Sequence, residues 1–379
     1  MEEKINQAFD AMIQEIESHR AALLEANKMD VAQCDRSDVA LYDRLHVDEE
    51  KIDGMISSLQ KLMAKAYPVN RVLYAHTHEN GIRIENRTAP FGTIMIIYES
   101  RPDVTVEATA TALKSGNKIL LKGGKEAKNS NLLLHACWER ALKRAGLAED
   151  RVRYLDFRRS ELQAYLKEPD TTIDLIIPRG GEKLIAYVHS VAQCPVLVSG
   201  RGNNFLYVSE EADLPMAKKL IIQSKVSKIS ACNALDKVLI HQNISSRFVE
   251  ELEQELASHQ VHINNKPDHD TWMEEFLDLK IVLTRVGDLA EAIAKVNTYS
   301  GGHSATIVTN NREEAIRFMD EVDCAAVYHN ASTRFTDGFQ FGLGAEMAIS
   351  TDKLHHRGPL GVEHLVTNKW YVSGHGQTR

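Results

Sequence analysis

The sequence predicts an α/β protein whose parallel strands are covered by helices on both faces. Three observations predict it. From residue 93 onward, short apolar runs alternate with longer amphipathic ones, an order that right-handed crossovers turn into a parallel sheet. The strand segments are near-continuous apolar runs, the pattern of strands buried on both faces. The chain has 379 residues, which at about 100–200 residues per domain allows two or three domains.

Ile5, Phe9, Met12, Ile13 and Ile16 share one helical face and predict an amphipathic opening helix. Charged, helix-favouring sequence continues to about residue 66, with Pro68 marking its end. TIMIIY (93–98) reads as a buried strand, DVTVEATATALKSGN as a helix stopped by Gly116, and KILLK (118–122) as a second strand. A helix from Asn129 to about Arg144 precedes the strand RVRYLDF. DLIIP (174–178), the pair Gly180–Gly181, the helix EKLIAYVHSVAQ and the strand PVLV (195–198) complete the first unit. A second α/β unit runs from about residue 224 and contains KVLIH, a helix over 245–258, KIVLTRV, the helix DLAEAIAKVN, SATIVT, a further helix and CAAVYHN. After Trp370–Val372 the tail is polar and reads as a short strand used in assembly. Ligands of such sheets bind at strand carboxyl ends. Those ends carry Glu99–Ser100–Arg101, Lys122–Gly123–Gly124, Arg179–Gly180–Gly181 and Ser199–Gly200.

Apolar residues make up 43% and charged residues 26%, which excludes a disordered or collagen-like chain. Lys plus Arg number 45 against 53 Asp plus Glu, a net charge of -8. With no basic run, a nucleic-acid partner is not expected, although single Arg and Lys residues can still hold small anions. No stretch approaches 18 apolar residues and the charged N-terminus lacks an apolar signal core, so the expected location is the cytoplasm, off the membrane. The five cysteines (Cys34, Cys137, Cys194, Cys232, Cys324) include no CxxC pair and are odd in number, arguing against a disulfide framework or a structural zinc site. No metal is expected; adjacent His355 and His356 lack an HExxH context.

GRGNNF (200–205) has Phe205 where a dinucleotide fingerprint needs its third glycine, and KGGKEA lacks P-loop spacing. Glycines and basic residues at strand ends remain permissive for phosphate binding by backbone N–H groups. Cys232 stands out from ordinary buried cysteines because Lys225 and Lys228 lie nearby in sequence, and positive charge lowers a thiol pKa. Ser199 has no GxSxG elbow.

Taken together, IIYESRPDVTVEA, LKSGNKILLKGGKEAKNSN, DLIIPRGGEKLI, SACNALDKVLIH, NTYSGGHSATIVT, NASTRFTDG and FGLGAEMAISTDKLHHRGPLG resemble the γ-glutamyl phosphate reductase family of the aldehyde dehydrogenase superfamily, in the same order along nearly the whole chain. The resemblance implies an aldehyde dehydrogenase-like fold: a Rossmann-type NADPH-binding domain (1–77 and 93–223), an α/β catalytic domain (224–358) and a small oligomerisation element (78–92 and 359–379). It implies NADPH-dependent reduction of L-glutamyl 5-phosphate to the 5-semialdehyde with phosphate release, in proline biosynthesis. It also implies a homo-oligomer, with glutamate 5-kinase as a candidate partner. Cys232 then attacks the acyl phosphate, and its own backbone N–H helps hold the oxyanion. Arg101, Asn330 and Arg334 match substrate-binding positions, while Lys122, Arg179, Gly180, Gly181, Gly200 and Glu275 match segments around the cofactor.

Four departures bear on activity. Asp103 replaces an Asn that the family offers as an oxyanion donor, and only a protonated Asp103 could donate there. Ser227–Ser230 differs from the family's residues before the cysteine, Val198 stands where the family often has an acid, and His303–Ser304–Ala305 replaces HTD. Val198 argues against a hydrolytic aldehyde oxidase, which needs that acid to activate water. The alternatives left open are a catalytically weakened paralogue acting as a binding partner, and a reductase for a different acyl group.

Overall fold

A computed structural model describes residues 1–36 and 38–378. Among them, four helices open the chain: α1 (Glu2–Ser18), α2 (Arg20–Val31), α3 (Val39–Leu45) and α4 (Glu49–Ala64). Ile5, Phe9, Met12 and Ile16 of the stripe predicted for α1 are buried and Ile13 partly so, and Asp38 and Asp48 cap α3 and α4 by accepting from Leu41 and Lys51 N–H. Next come β1 (Val72–Thr77), β2 (Arg83–Pro90), β3 (Thr93–Tyr98), α5 (Pro102–Lys114), β4 (Lys118–Lys122), α6 (Lys128–Arg144), β5 (Val152–Tyr154), α7 (Arg159–Lys167), β6 (Leu175–Arg179) and α8 (Glu182–Val191). The parallel sheet β5-β4-β3-β6 forms the first unit. Ile94, Ile96 and Tyr98 of β3 pack into a core shared with α1 and α4, while Met95 and Ile97 face a second core with Leu162 and Val188. The continuous apolar run is thus buried on both faces.

The second unit comprises β7 (Asn204–Val208), α9 (Leu214–Val226), β8 (Leu235–His241), α10 (Ser246–Ser258), β9 (His262–Asn264), α11 (His269–Met273), β10 (Lys280–Val286), α12 (Leu289–Tyr299), β11 (Ser304–Val308), α13 (Arg312–Glu321) and β12 (Ala326–His329). Its strands are all parallel, in the order β12-β11-β7-β8-β10-β9. Along β8, Val238 and Ile240 enter one core and Leu239 the other. A short pair, β13 (Ile349–Ser350) and β14 (Gly358–Pro359), precedes the last strand, β15 (Val366–Ser373). β15 runs antiparallel to β2, making a three-stranded sheet β1-β2-β15. Among the described residues no helix is long and apolar enough to cross a membrane.

Several predicted boundaries need correction. β7 and α9 belong to the second sheet, so the division between units falls near residue 200 rather than 224. The small element takes β1 as well as β2, giving 72–90 and 366–373 in place of 78–92 and 359–379. PVLV makes only a single bridge, Val196 to Ile176, instead of a full strand. Ala345, Met347, Leu360 and Val362 pack in the core of the first unit, so the chain returns there before residue 358. Ser37 and Arg379, inside the predicted ranges, lie outside the described residues.

Candidate active site

The first unit contributes its strand carboxyl ends. Ser100, just after β3, adopts a left-handed conformation (φ 49) held by Glu126, whose Oε1 accepts from Ser100 N–H at 2.7 Å and Oγ at 2.9 Å. That turn delivers Arg101 to the start of α5, where Pro102 occupies the first position with no N–H to lose. Arg101 Nη2 lies 3.2 Å from Asp103 Oδ2. Burial pushes Asp103 upward, but Arg101 and Lys51 outweigh it and hold the carboxyl below its ordinary range. Asp103 is therefore an ionised partner of Arg101, not the protonated oxyanion donor considered from sequence. One turn further, burial and the neighbouring Asp103 push Glu107 up to about 8. Arg179, ending β6, donates to Met347 O at 2.7 Å and lies 3.6 Å from Glu346, whose carboxyl is raised by burial.

Cys232 sits in the turn entering β8, at the amino end of the second sheet, so the carboxyl ends of one sheet face the amino end of the other. Asn204 Nδ2 donates to Cys232 O at 2.8 Å. Two residues earlier, the helical layer grips the turn: Arg44 donates to Ser230 O at 2.8 Å, and Ser230 Oγ to Asp43 at 2.5 Å. The half-buried thiol is pushed up to about 12 by burial, then by Glu346 and Glu275, against the opposing pull of Arg179 and Arg101. The lysine-activated thiol expected from sequence is not what the fold builds. Lys225 is buried in an ion pair with Asp236 at 2.9 Å, and Lys228 is exposed.

Arg334 reaches the thiol's electrostatic field and donates to Ser227 Oγ at 3.2 Å. Arg101, Arg179 and Arg334 thus converge on Cys232. Asn330 does not. It follows β12 at the opposite end of the sheet, and its amide is spent on Thr309, accepting from N–H and donating to O, both at 3.0 Å. Gly200 is a packing glycine: a Cβ there would lie 2.5 Å from Thr351 Oγ1 and 2.6 Å from Gly301 O.

A cleft of about 370 Å³ opens beside the cysteine turn, lined by Gly181 from the first unit and by Arg201, Met273, Glu274 and Glu275 from the second. A Cβ at Gly181 would meet nothing, whereas Gly180 packs on Glu99, whose Oε2 accepts from Gly181 N–H at 3.1 Å. Gly181 and Glu275, predicted separately, therefore share one opening. Lys122 ends β4, donates to Gly123 O and is lowered by burial. Sequence reading missed Glu107, Arg201 and Glu346. Of these, only Glu107 had a signal, its position one helical turn after Asp103.

The aldehyde dehydrogenase family sequence model matches residues 11–275 and 261–348. The γ-glutamyl phosphate reductase of Dictyoglomus thermophilum is 38% identical over 99% of this chain and 94% of its own length. That of Thermotoga maritima is 40% identical over the same shares. The chain belongs to the γ-glutamyl phosphate reductase family of the aldehyde dehydrogenases. The crystal structure of the Thermotoga maritima member superposes with a TM-score of 0.93 at 39% identity, covering 100% of this chain and 95% of that one.

Members of the wider family act with a nicotinamide cofactor, and the cleft's own residues fit one. Gly181 lines the cleft at the N-terminus of α8, where the helix dipole favours phosphate. Glu275 offers a carboxylate of the kind that accepts from ribose hydroxyls, and Arg201 a cation.

Proposed function

We propose that the chain reduces L-glutamyl 5-phosphate to L-glutamate 5-semialdehyde with NADPH, the reaction of proline biosynthesis, through a thioester on Cys232. One observation carries this reading: three arginines converge on a half-buried thiol that adjoins a cleft shaped by Gly181 and Glu275. Arg101, Arg179 and Arg334 complement a substrate bearing both a carboxylate and an acyl phosphate. The Cys232 sulfur, as thiolate, bonds to the acyl carbon, and the C–O bond to phosphate breaks with inorganic phosphate carrying away the electron pair. The Cys232 backbone N–H, in the turn before β8, donates to the oxyanion in this reading. A bound reduced nicotinamide supplies the hydride that converts the thioester to the aldehyde level. The thiohemiacetal then expels Cys232 and releases the aldehyde.

NADPH in place of NADH is supported by Lys122 at the carboxyl end of β4, a cation of the kind that suits a 2′-phosphate. Arg179, Gly180 and Gly181 form the turn that approaches the cofactor from the first unit. The exposed apolar face of β1-β2-β15 supports homo-oligomerisation, and the labile acyl phosphate favours direct handover from glutamate 5-kinase. A cytoplasmic location follows from the substrate. The arginine cluster around a retained cysteine favours turnover over a binding-only role.

The test is phosphate-dependent reduction of NADP by glutamate 5-semialdehyde. Wild type is expected to turn over and Cys232→Ala to be silent. Turnover that persists in Cys232→Ala, or that needs no phosphate, overturns the reading.

A further inference from the structure

The GRGNNF turn fails as a dinucleotide fingerprint, yet it is the polar node of the second unit. Asn204 Nδ2 donates to the carbonyls of Gly202 (2.8 Å), Cys232 (2.8 Å) and Ala234 (2.7 Å). Asn203 Nδ2 donates to Trp272 O and Tyr299 O, both at 2.7 Å, and Arg201 to Met273 O at 2.8 Å. From β8, Lys237 donates to Glu274 O at 2.8 Å, and Asp236 accepts from Phe276 N–H at 3.0 Å while paired with Lys225 at 2.9 Å. Four backbone groups of the segment Trp272–Phe276 are therefore tied by side chains of the cysteine-bearing frame, three just before Glu275 and one just after it. Between thiol loop and carboxylate lies Gly202, where a Cβ would sit 2.0 Å from Cys232 O and 2.6 Å from Glu275 Oε1.

We propose that Arg201–Asn204, Asp236 and Lys237 form a positioning frame that fixes Glu275 in register with Cys232, setting the separation between the cofactor's ribose and the nucleophile. This rests on Glu275 binding the cofactor. Apolar side chains of similar size would fill the same volume without the desolvation cost of burying two lysines and an aspartate. The expense is in directional bonds to one short segment. Lys237 also lies 3.7 Å from the Phe276 ring centroid, which braces the far side of Glu275. Burial lowers its ammonium to about 8, against the raising pull of Asp236.

The test is fluorescence titration of the full chain with NADPH, arranged as a double-mutant cycle. Lys237→Met and Glu275→Gln are each expected to raise Kd roughly tenfold. The double variant is expected to bind no worse than Glu275→Gln alone, because Lys237 acts through Glu275. Multiplied effects in the double variant overturn the frame, as does a Lys237→Met that loses thermal stability with an unchanged Kd, the mark of a purely structural role. A wild-type chain that does not bind NADPH overturns the cofactor reading itself. If Lys237→Met does not fold, Asn203→Leu, which unties Trp272 O, takes its place in the cycle with the same expected outcomes.

Discussion

At the scale of single residues, the site is dominated by a conflict between burial and charge. Burial, Glu346 and Glu275 raise Cys232 to about 12, so near neutral pH only a small thiolate fraction stands ready in the free chain. Iodoacetamide labelling of Cys232 is therefore expected to keep rising well above pH 9. Glu346→Gln, which removes a raising charge, should speed labelling at pH 8 severalfold; an unchanged rate would mean the carboxylate does not feel the thiol. Asp103→Asn replaces an ionised acceptor with an amide able to donate. Since one oxyanion donor is worth roughly 10²–10³ in rate, kcat is expected to rise tenfold or more. A fall in kcat would show instead that the charge is needed to hold Arg101. That Arg101 and Arg179 come near Cys232 was legible because each sits in a segment with a family likeness. The ionisation of Asp103, the pairing of Lys225 with Asp236 and the diversion of Asn330 to Thr309 were not, since each depends on a neighbour distant in sequence or across the sheet.

At the scale of elements, apolar runs such as TIMIIY and KILLK were legible as strands because both faces are buried. Asn204–Val208 was missed because its Gly- and Asn-rich lead-in reads as a turn, and the asparagines' real task is to bond other loops. β1 was missed for the opposite reason: all six residues are exposed and make no core pattern. The start of β11 carries a further consequence. His303 is fully buried, hydrogen-bonded with Ser304 Oγ at 2.7 Å, and burial holds it down to about 4 from 6.5. The unfolded chain takes up this proton near pH 6.5 and the folded chain only near 4. Stability from keeping His303 neutral is thus complete above 6.5 and lost as pH falls towards 4, on the order of 3 kcal/mol in all. His303→Leu is expected to lose stability less steeply over that interval, read as the urea midpoint at pH 4.5 and 7. His364, lowered to about 4 by burial and His356, keeps some slope in the variant. Parallel curves for variant and wild type would place the His303 proton elsewhere.

At the scale of the whole molecule, the three-stranded sheet carries five large apolar side chains without cover. Val72, Leu73 and Tyr74 are 54%, 58% and 52% exposed, Trp370 and Val372 56% and 62%. Tyr74 and Trp370 pack edge to face at 5.9 Å, so two edge strands of the sheet contribute to one patch. A contiguous apolar patch on a sheet with open edges marks a surface that pairs with another chain. The patch is made by the first and last strands of the small element, which closes only when the tail returns along β2. A second copy of the chain is its expected cover, and charge placed there should block assembly while sparing the cores, which lie elsewhere. Trp370→Glu and Tyr74→Asp are each expected to convert the oligomer to monomer by light scattering at micromolar concentration, with the thermal transition of the monomer cooperative. NADPH binding should persist in that monomer, because Gly181 and Glu275 meet within a single chain. Variants with the wild-type mass would assign the patch another role, and loss of NADPH binding on dissociation would mean that a neighbouring chain supports the cleft.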